Sequence, residues 1–137
     1  DSSGYIHRQG VSFGGNRVDA GALHSTFRRR RLSERNKTAV MIISTPTVLV
    51  WPLLTMHVLG LVLEGALLTL FKQDGRIWKE IYGPTLGDIA TKLGQLRALR
   101  RQVQGIRRAS LREYMRGVVF LPRKLSLLLQ YGVPTLK

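Results

Sequence analysis

The chain contains no cysteine and few acidic residues, and both shortages limit what it can be. Without cysteine it can form neither a disulfide scaffold nor a thiolate metal site. Only 8 Asp and Glu residues oppose 22 Lys and Arg residues among 137, which gives a formal net charge of +14. This excess predicts a polyanionic partner, either a phosphate-rich ligand, a nucleic acid or an anionic lipid, and charge does not choose among them.

Known cofactor and catalytic motifs are also missing. The sequence has no phosphate-binding P-loop and no glycine-rich dinucleotide fingerprint. Its few acids are scattered, so neither a Ser-His-Asp set nor a close pair of carboxylates can be assembled. We therefore expect no complete catalytic centre within this chain.

Charge is nearly absent from one long segment. Between Lys37 and Lys72 there is no Lys, Arg or Asp, and the ionisable side chains there are His57 and Glu64. The segment exceeds the roughly 20 apolar residues that span a bilayer as a helix. It therefore predicts contact with a membrane.

Two prolines and the flanking charges bear on how this apolar segment meets the membrane. Pro46 and Pro52 lack a backbone N–H, so we expect them to divide the segment into two or three helical pieces. Basic residues lie on both sides of the segment, which predicts that both ends are cytoplasmic. A re-entrant or interfacial hairpin bent near the prolines fits this pattern, and one tilted span is the alternative.

A polar row is predicted within the apolar segment. His57, Gly60 and Glu64 follow one another at steps of three and four, which places them on one face of a helix. We interpret them as a narrow polar seam facing protein or water, with Gly60 and Gly65 permitting close packing. A buried hydrogen-bonded pair or a proton-handling site is the alternative.

Basic helices are predicted on both sides of the apolar segment. The first begins at Leu23 and leads through an arginine run into that segment, and the second extends from Pro84 to Ile106 with helical apolar spacing. Lipid headgroups are the favoured partner, and nucleic acid is disfavoured because no aromatic platform accompanies the arginines. The candidate membrane- or phosphate-binding residues are Arg28, Arg29, Arg30, Arg31, Arg35, Arg97, Arg100 and Arg101.

Shorter sequence patterns near the two ends of the chain predict local structure and one candidate ligand residue. Residues 5–13 predict two short β pieces, which lead into a glycine-rich loop. His7 could ligate a divalent ion or contact a phosphate, and a surface or structural histidine is the alternative. Further along, Ser110 with Glu113 forms a capping box, which predicts one more short helix after it.

The order of these features resembles the C-terminal third of bacterial family 2 glycosyltransferases, in particular the rhamnosyltransferase-like group that builds cell-surface polysaccharide. The likeness extends from residue 5 to about residue 117. The motifs that carry it are YIHRQGVSFGGN, the Arg35-Asn36 pair in a basic helix, Pro46 ten residues after that Asn, the apolar stretch, and a closing pattern of Arg100-Arg101, Gln104, Arg107-Arg108 and Ser110.

The resemblance implies a mainly α-helical chain with three parts. Residues 1–22 would be a short β and loop remnant of a GT-A catalytic domain, 23–83 a basic helix with an apolar membrane-associated segment, and 84–137 basic amphipathic helices and a tail. It also implies an enzyme that transfers a sugar from a nucleotide-sugar donor to a lipid-linked or polysaccharide acceptor. The expected location is the cytoplasmic face of a bacterial plasma membrane, where anionic lipids would be a partner.

The resemblance gives roles to the first residues as well. His7 would help to hold a Mg²⁺ or Mn²⁺ ion on the donor diphosphate, and Ser12, Gly14 and Gly15 would lie at the edge of the donor or acceptor pocket. The acidic metal motif and the acceptor base of the family are not in this sequence, so we expect them upstream and expect the chain alone to be inactive. The alternative class is a non-enzymatic basic adaptor that binds membranes or nucleic acid.

Overall fold

The computed structural model of the chain describes residues 17–19, 22–118, 130, 135 and 136, with the side chains of residues 25–118 and 130. Most of these residues are helical, which confirms the predicted fold class at that level. Three very short strands are described, β1 Arg17–Asp19, β2 Ala22–Ser25 and β3 Thr135–Leu136. They form one sheet, in which β1 runs antiparallel to β2 and β2 runs parallel to β3.

The first helix begins later than predicted. Leu23 belongs to β2, whose backbone pairs with strands on both sides, so the expected helix start there is wrong. Helix α1 spans Phe27–Ser44, and the hydroxyl of Thr26 accepts a hydrogen bond from the backbone N–H of Arg29 at 3.2 Å. This bond satisfies one of the donors that a helix start leaves without a partner. The β pieces predicted within residues 5–13 lie outside the described residues.

Helices α1 and α2 are joined by a tight connection at Thr45 and Pro46. Helix α2 spans Thr47–Lys72, so Pro46 separates two helices as predicted. The expected second break, at Pro52, is wrong because this proline lies inside α2. Its ring removes one backbone donor close to the start of a 26-residue helix, and the remaining hydrogen bonds keep the helix continuous.

A π-helix and three short α-helices follow. The prediction of a single helix from Pro84 to Ile106 is wrong in one respect, because the structure has two helices there that are divided at Lys92. The hydroxyl of Thr91 donates to two carbonyl oxygens of the preceding turn, both at 3.1 Å, and such competition with the backbone is typical of helix ends. The elements are the π-helix Trp78–Tyr82, α3 Gly83–Thr91, α4 Leu93–Ile106 and α5 Leu111–Arg116.

The hydrophobic core lies where the π-helix meets α1 and α2. Its buried members are Leu61 from α2 and three residues of the segment after it, Ile77, Ile81 and Tyr82. The ring of Trp78 stacks near that of Tyr82, with centroids 6.3 Å apart. This small core attaches one side of α2 to the rest of the chain, and no other described residue covers the large apolar side chains on its other side.

Candidate functional site

The uncovered side of α2 is apolar from one end of the helix to the other. Leu59 is 62% exposed and Phe71 is 81% exposed, and no charged residue appears on this side before Lys72. Exposed apolar residues recur at steps of three and four, so they form one stripe along the helix. The other large members of this α2 apolar face are Val48, Trp51, Met56, Val62, Leu63, Leu67 and Leu70.

The opposite side of α2 carries His57 and Glu64, and both contact α1. The Nε2 atom of His57 lies 2.9 Å from Oγ1 of Thr38, and the carboxylate of Glu64 accepts a hydrogen bond from Arg30. The prediction of a polar seam facing protein is confirmed for these two side chains. Gly60 does not take part, because a Cβ atom there would meet nothing within 4 Å.

Gly65 is the point of closest approach between α2 and the π-helix. A Cβ atom at this position would lie 2.7 Å from Cζ3 of Trp78 and 2.8 Å from Cγ of Tyr82. Both distances are shorter than any van der Waals contact allows, so only glycine fits here without movement of the rings. The close packing predicted for this glycine is confirmed.

A buried ionic cluster joins α1 to α2. Glu34 is fully buried, with its Oε1 atom 3.2 Å from Nζ of Lys37 and 3.6 Å from Nε of Arg30. Arg30 also reaches Glu64, so two cations neutralise two carboxylates. Burial, and then the negative charge of Glu64, raise the pKa of the neighbouring Tyr82, so its hydroxyl stays protonated at neutral pH. The cluster is therefore a charge-balanced contact between helices.

The arginine run divides between inward and outward positions. Besides Arg30, Arg31 contacts another part of the chain: its side chain is 39% exposed and pairs with Asp88 of α3 at 2.9 Å. Arg28 is exposed, while Arg35 donates to the amide oxygen of Asn36 next to it. Two of the five predicted lipid- or phosphate-binding arginines in α1 are thus occupied by carboxylates of the chain itself.

The arginines of α4 divide in the same way. Arg100 donates from Nη1 to the carbonyl oxygens of Ile42 and Thr45, both at 2.7 Å, and so closes the C-terminal end of α1. Gln104, one turn later, donates to the same end of α1. Arg97 and Arg101 remain exposed on α4 and stay available to an anionic surface. The sequence pattern does not distinguish these three arginines, so the inward role of Arg100 was not predicted.

Neither a metal site among the described residues nor a match to a known protein indicates the function of this chain. No three His, Asp or Glu side chains come together as a metal site among the described residues. His7, Ser12, Gly14 and Gly15 lie outside them, so their predicted roles stay predictions. Comparisons with protein-family models, curated proteins and solved structures gave no match. By length and composition, α2 is the one described helix that could cross a membrane.

Proposed function

We propose that this chain is a membrane-docking module and forms the C-terminal part of a glycosyltransferase. The enzyme would transfer a sugar from a nucleotide-sugar donor to a lipid-linked or polysaccharide acceptor at the cytoplasmic face of a bacterial plasma membrane. The observation that carries the docking function is the α2 apolar face. The glycosyltransferase assignment rests on the sequence resemblance, and the two parts of the proposal are tested separately.

The physical case for docking starts from the cost of leaving this face in water. Each Å² of apolar surface removed from water contributes about 25 cal/mol, and soluble monomers rarely expose large continuous apolar patches. Leu59, Leu63 and Phe71 are each mostly exposed. A lipid bilayer covers such a face without requiring a matching protein shape. The net charge of +14 supplies the attraction to anionic headgroups that brings the chain to the surface.

Vesicle flotation tests the docking function. The chain is purified in detergent and diluted into vesicles of equal parts phosphatidylglycerol and phosphatidylcholine. We expect the wild type to float and the Leu59→Glu/Leu63→Glu variant to stay at the bottom of the gradient, because two charges then lie on the apolar face. Circular dichroism checks that the helices remain, since both side chains are already exposed.

A matched control uses exposed apolar residues outside α2. The Leu99→Glu/Ile106→Glu variant places the same two charges on α4, where both side chains are also exposed. We expect it to lose only the part of binding that the charge of α4 contributes, and so to float far better than the α2 variant. If the α2 variant floats equally well, or the α4 variant alone loses binding, the α2 apolar face is not the docking surface.

The enzymatic part requires the complete protein. A GT-A domain with an acidic metal motif, encoded directly upstream and ending near Tyr5, would support it. A coding sequence without that domain would leave the non-enzymatic adaptor as the function. In the full-length enzyme, His7→Ala should weaken Mn²⁺ binding and slow sugar transfer, because an imidazole that ligates the ion helps to neutralise the departing diphosphate. Unchanged metal affinity and turnover would remove His7 from the site.

A further inference from the structure

The way α1 packs on α2 bears on how α2 meets a membrane. Arg30, early in α1, contacts Glu64, late in α2, whereas Thr38, later in α1, contacts His57, earlier in α2. The two helices are therefore antiparallel and lie side by side over most of their length. At the closed end, Arg100 reaches both Thr45 before the turn and Thr47 after it.

This pairing places polar residues beside the middle of α2. The centre of α2, between His57 and Glu64, lies against the part of α1 that contains Asn36 and Lys37. Asn36 is exposed, and the side chain of Lys37 is 48% exposed. If α2 crossed a bilayer, its centre would lie at the midplane and would bring both groups into hydrocarbon. Charged and amide groups at that depth are strongly disfavoured.

The α2 apolar face has the dimensions of a helix that lies along a surface. Val48, Leu59 and Leu70 are eleven residues apart, which is three helical turns, so their side chains leave α2 in nearly the same direction. All three are mostly exposed. The opposite side of the helix is covered by α1 and the π-helix. The polar side that an interfacial helix needs is thus supplied by its neighbours.

We propose that α2 docks lengthwise on an anionic phospholipid bilayer, with its apolar face among the outer acyl segments, and does not cross the membrane. Exposed cations flank the end of the helix at Lys72 and Lys79, where phosphatidylglycerol headgroups would meet them. This inference rests on the proposed docking function and adds its geometry. A transmembrane span and a dimer through the same face are the competing arrangements.

Depth measurements separate the three arrangements, and the absence of native cysteine makes them direct. Nitroxide labels are placed singly at Val48→Cys, Leu59→Cys, Leu70→Cys and, as a control on α1, Asn36→Cys. The protein is reconstituted from detergent into phosphatidylglycerol and phosphatidylcholine vesicles, so that a span is free to form. Collision with oxygen and with a water-soluble nickel chelate then reports the depth of each label.

For lengthwise docking we expect the three α2 labels at one shared depth, roughly 5–10 Å below the headgroups, with the Asn36 label in contact with water. A span would put the Leu59 label about 15 Å deep, the outer two near opposite headgroups, and the Asn36 label deep as well. A dimer through this face would give strong spin coupling at all three positions without lipid. Either of these patterns overturns the inference.

A second measurement is the side of the membrane on which each end of α2 lies. In the double variant Thr47→Cys/Lys72→Cys, both ends of α2 carry an exposed thiol. A membrane-impermeant maleimide is added to sealed vesicles, and the labels on each molecule are counted by mass spectrometry. Lengthwise docking gives two labels or none, according to leaflet, whereas a span gives one. Failure to float would contradict the proposed function itself, and one label on a floating protein would contradict the geometry alone.

Discussion

Arg100 donates from Nη1 to the carbonyl oxygen of Thr45, 2.7 Å away, at the point where α1 ends and the chain turns into α2. A helix end leaves carbonyl oxygens without partners, and Pro46, the next residue, has no N–H to offer them. Helix α4 therefore supplies donors that the turn itself lacks. The positive guanidinium also lies at the negative end of the α1 dipole, which strengthens the interaction.

Removing this guanidinium should destabilise the hairpin. We expect Arg100→Met to lower the free energy of unfolding by about 1–3 kcal/mol, because two carbonyl oxygens lose a charged donor. Urea denaturation followed by circular dichroism measures the change. Arg101→Met is the matched control, since Arg101 is the exposed neighbour on the same helix, and its effect should stay within about 0.5 kcal/mol. Equal effects of the two substitutions would contradict the capping role.

The two exposed arginines of α4, Arg97 and Arg101, should contribute to membrane binding. Arg97→Gln/Arg101→Gln removes exposed charge without touching α1, so we expect weaker flotation with anionic vesicles and unchanged thermal stability. The loss should be greatest at low salt, because salt screens charges that lie in water. Binding that does not change with either charge or salt would contradict an electrostatic contribution from α4.

Two glycines of α2 provide a matched test of packing. At Gly65, a Cβ atom would lie 2.7 Å from the Trp78 ring, so Gly65→Ala should cost roughly 1–3 kcal/mol of unfolding free energy. At Gly60 there is open space, so Gly60→Ala should stabilise the helix by up to about 1 kcal/mol. If thermal unfolding shows that Gly65→Ala destabilises the protein and Gly60→Ala stabilises it, the contact with Trp78 is supported. Equal stabilisation by both alanines would show that this contact does not form.

The features that could be predicted from the sequence are those encoded by neighbouring residues. The capping box at Ser110 and Glu113 is present as predicted, with the backbone N–H of Glu113 donating to the Ser110 hydroxyl. Pro46 ends one helix and begins the next, and Pro84 lies in the first turn of α3. In each case the reason is local, a side-chain acceptor or a missing N–H, so no knowledge of the packing was needed.

The features that could not be predicted depend on distant residues. Arg97, Arg100 and Arg101 are chemically identical, and only the position of α4 against α1 decides that Arg100 points inward. Similarly, the spacing of His57 and Glu64 predicted a polar side of α2, but not which residues cover it. Their partners, Thr38 and Arg30, lie on another helix and far away in the chain.

The capping box predicts a pH dependence of α5. Hydrogen bonds from the backbone N–H and then the hydroxyl of Ser110 lower the pKa of Glu113 below its ordinary value. A carboxylate with a lower pKa in the folded helix stabilises it above the unfolded pKa, and this stabilisation is lost as pH falls through the folded pKa. We therefore expect α5 to fray in acid. NMR titration of the Glu113 carboxyl carbon and the Tyr114 amide would follow both events.

Substitution of Ser110 tests whether the capping box causes this pH dependence of α5. Ser110→Ala removes the hydroxyl donor, so the pKa of Glu113 should rise toward that of a free glutamate, and α5 should be less helical at neutral pH as well. Ser110→Thr retains a hydroxyl and should behave as the wild type does. An unchanged pKa in the alanine variant would mean that the backbone N–H alone accounts for the shift.

The partly buried pair of Arg30 and Glu64 should show coupling in a double-mutant cycle. Arg30→Gln removes the guanidinium shared by the buried Glu34 and the partly exposed Glu64, and Lys37 remains beside Glu34, so it should cost up to about 3 kcal/mol of unfolding free energy. Glu64→Gln should cost less, because Arg30 keeps Glu34 as a partner. The double variant should be more stable than the sum of the single losses predicts.

An exposed ion pair is the control for this cycle. Arg76 and Asp74 pair at 2.8 Å close to the end of α2, and both are reached by solvent, so Asp74→Asn should leave the unfolding midpoint nearly unchanged. Comparing the effects of breaking these two ion pairs tests whether a contact shielded from water holds α1 against α2. If Arg30→Gln and Glu64→Gln are additive, the two side chains do not interact in solution. The register of α1 against α2, from which we infer lengthwise docking, would then be supported by the contact between Thr38 and His57.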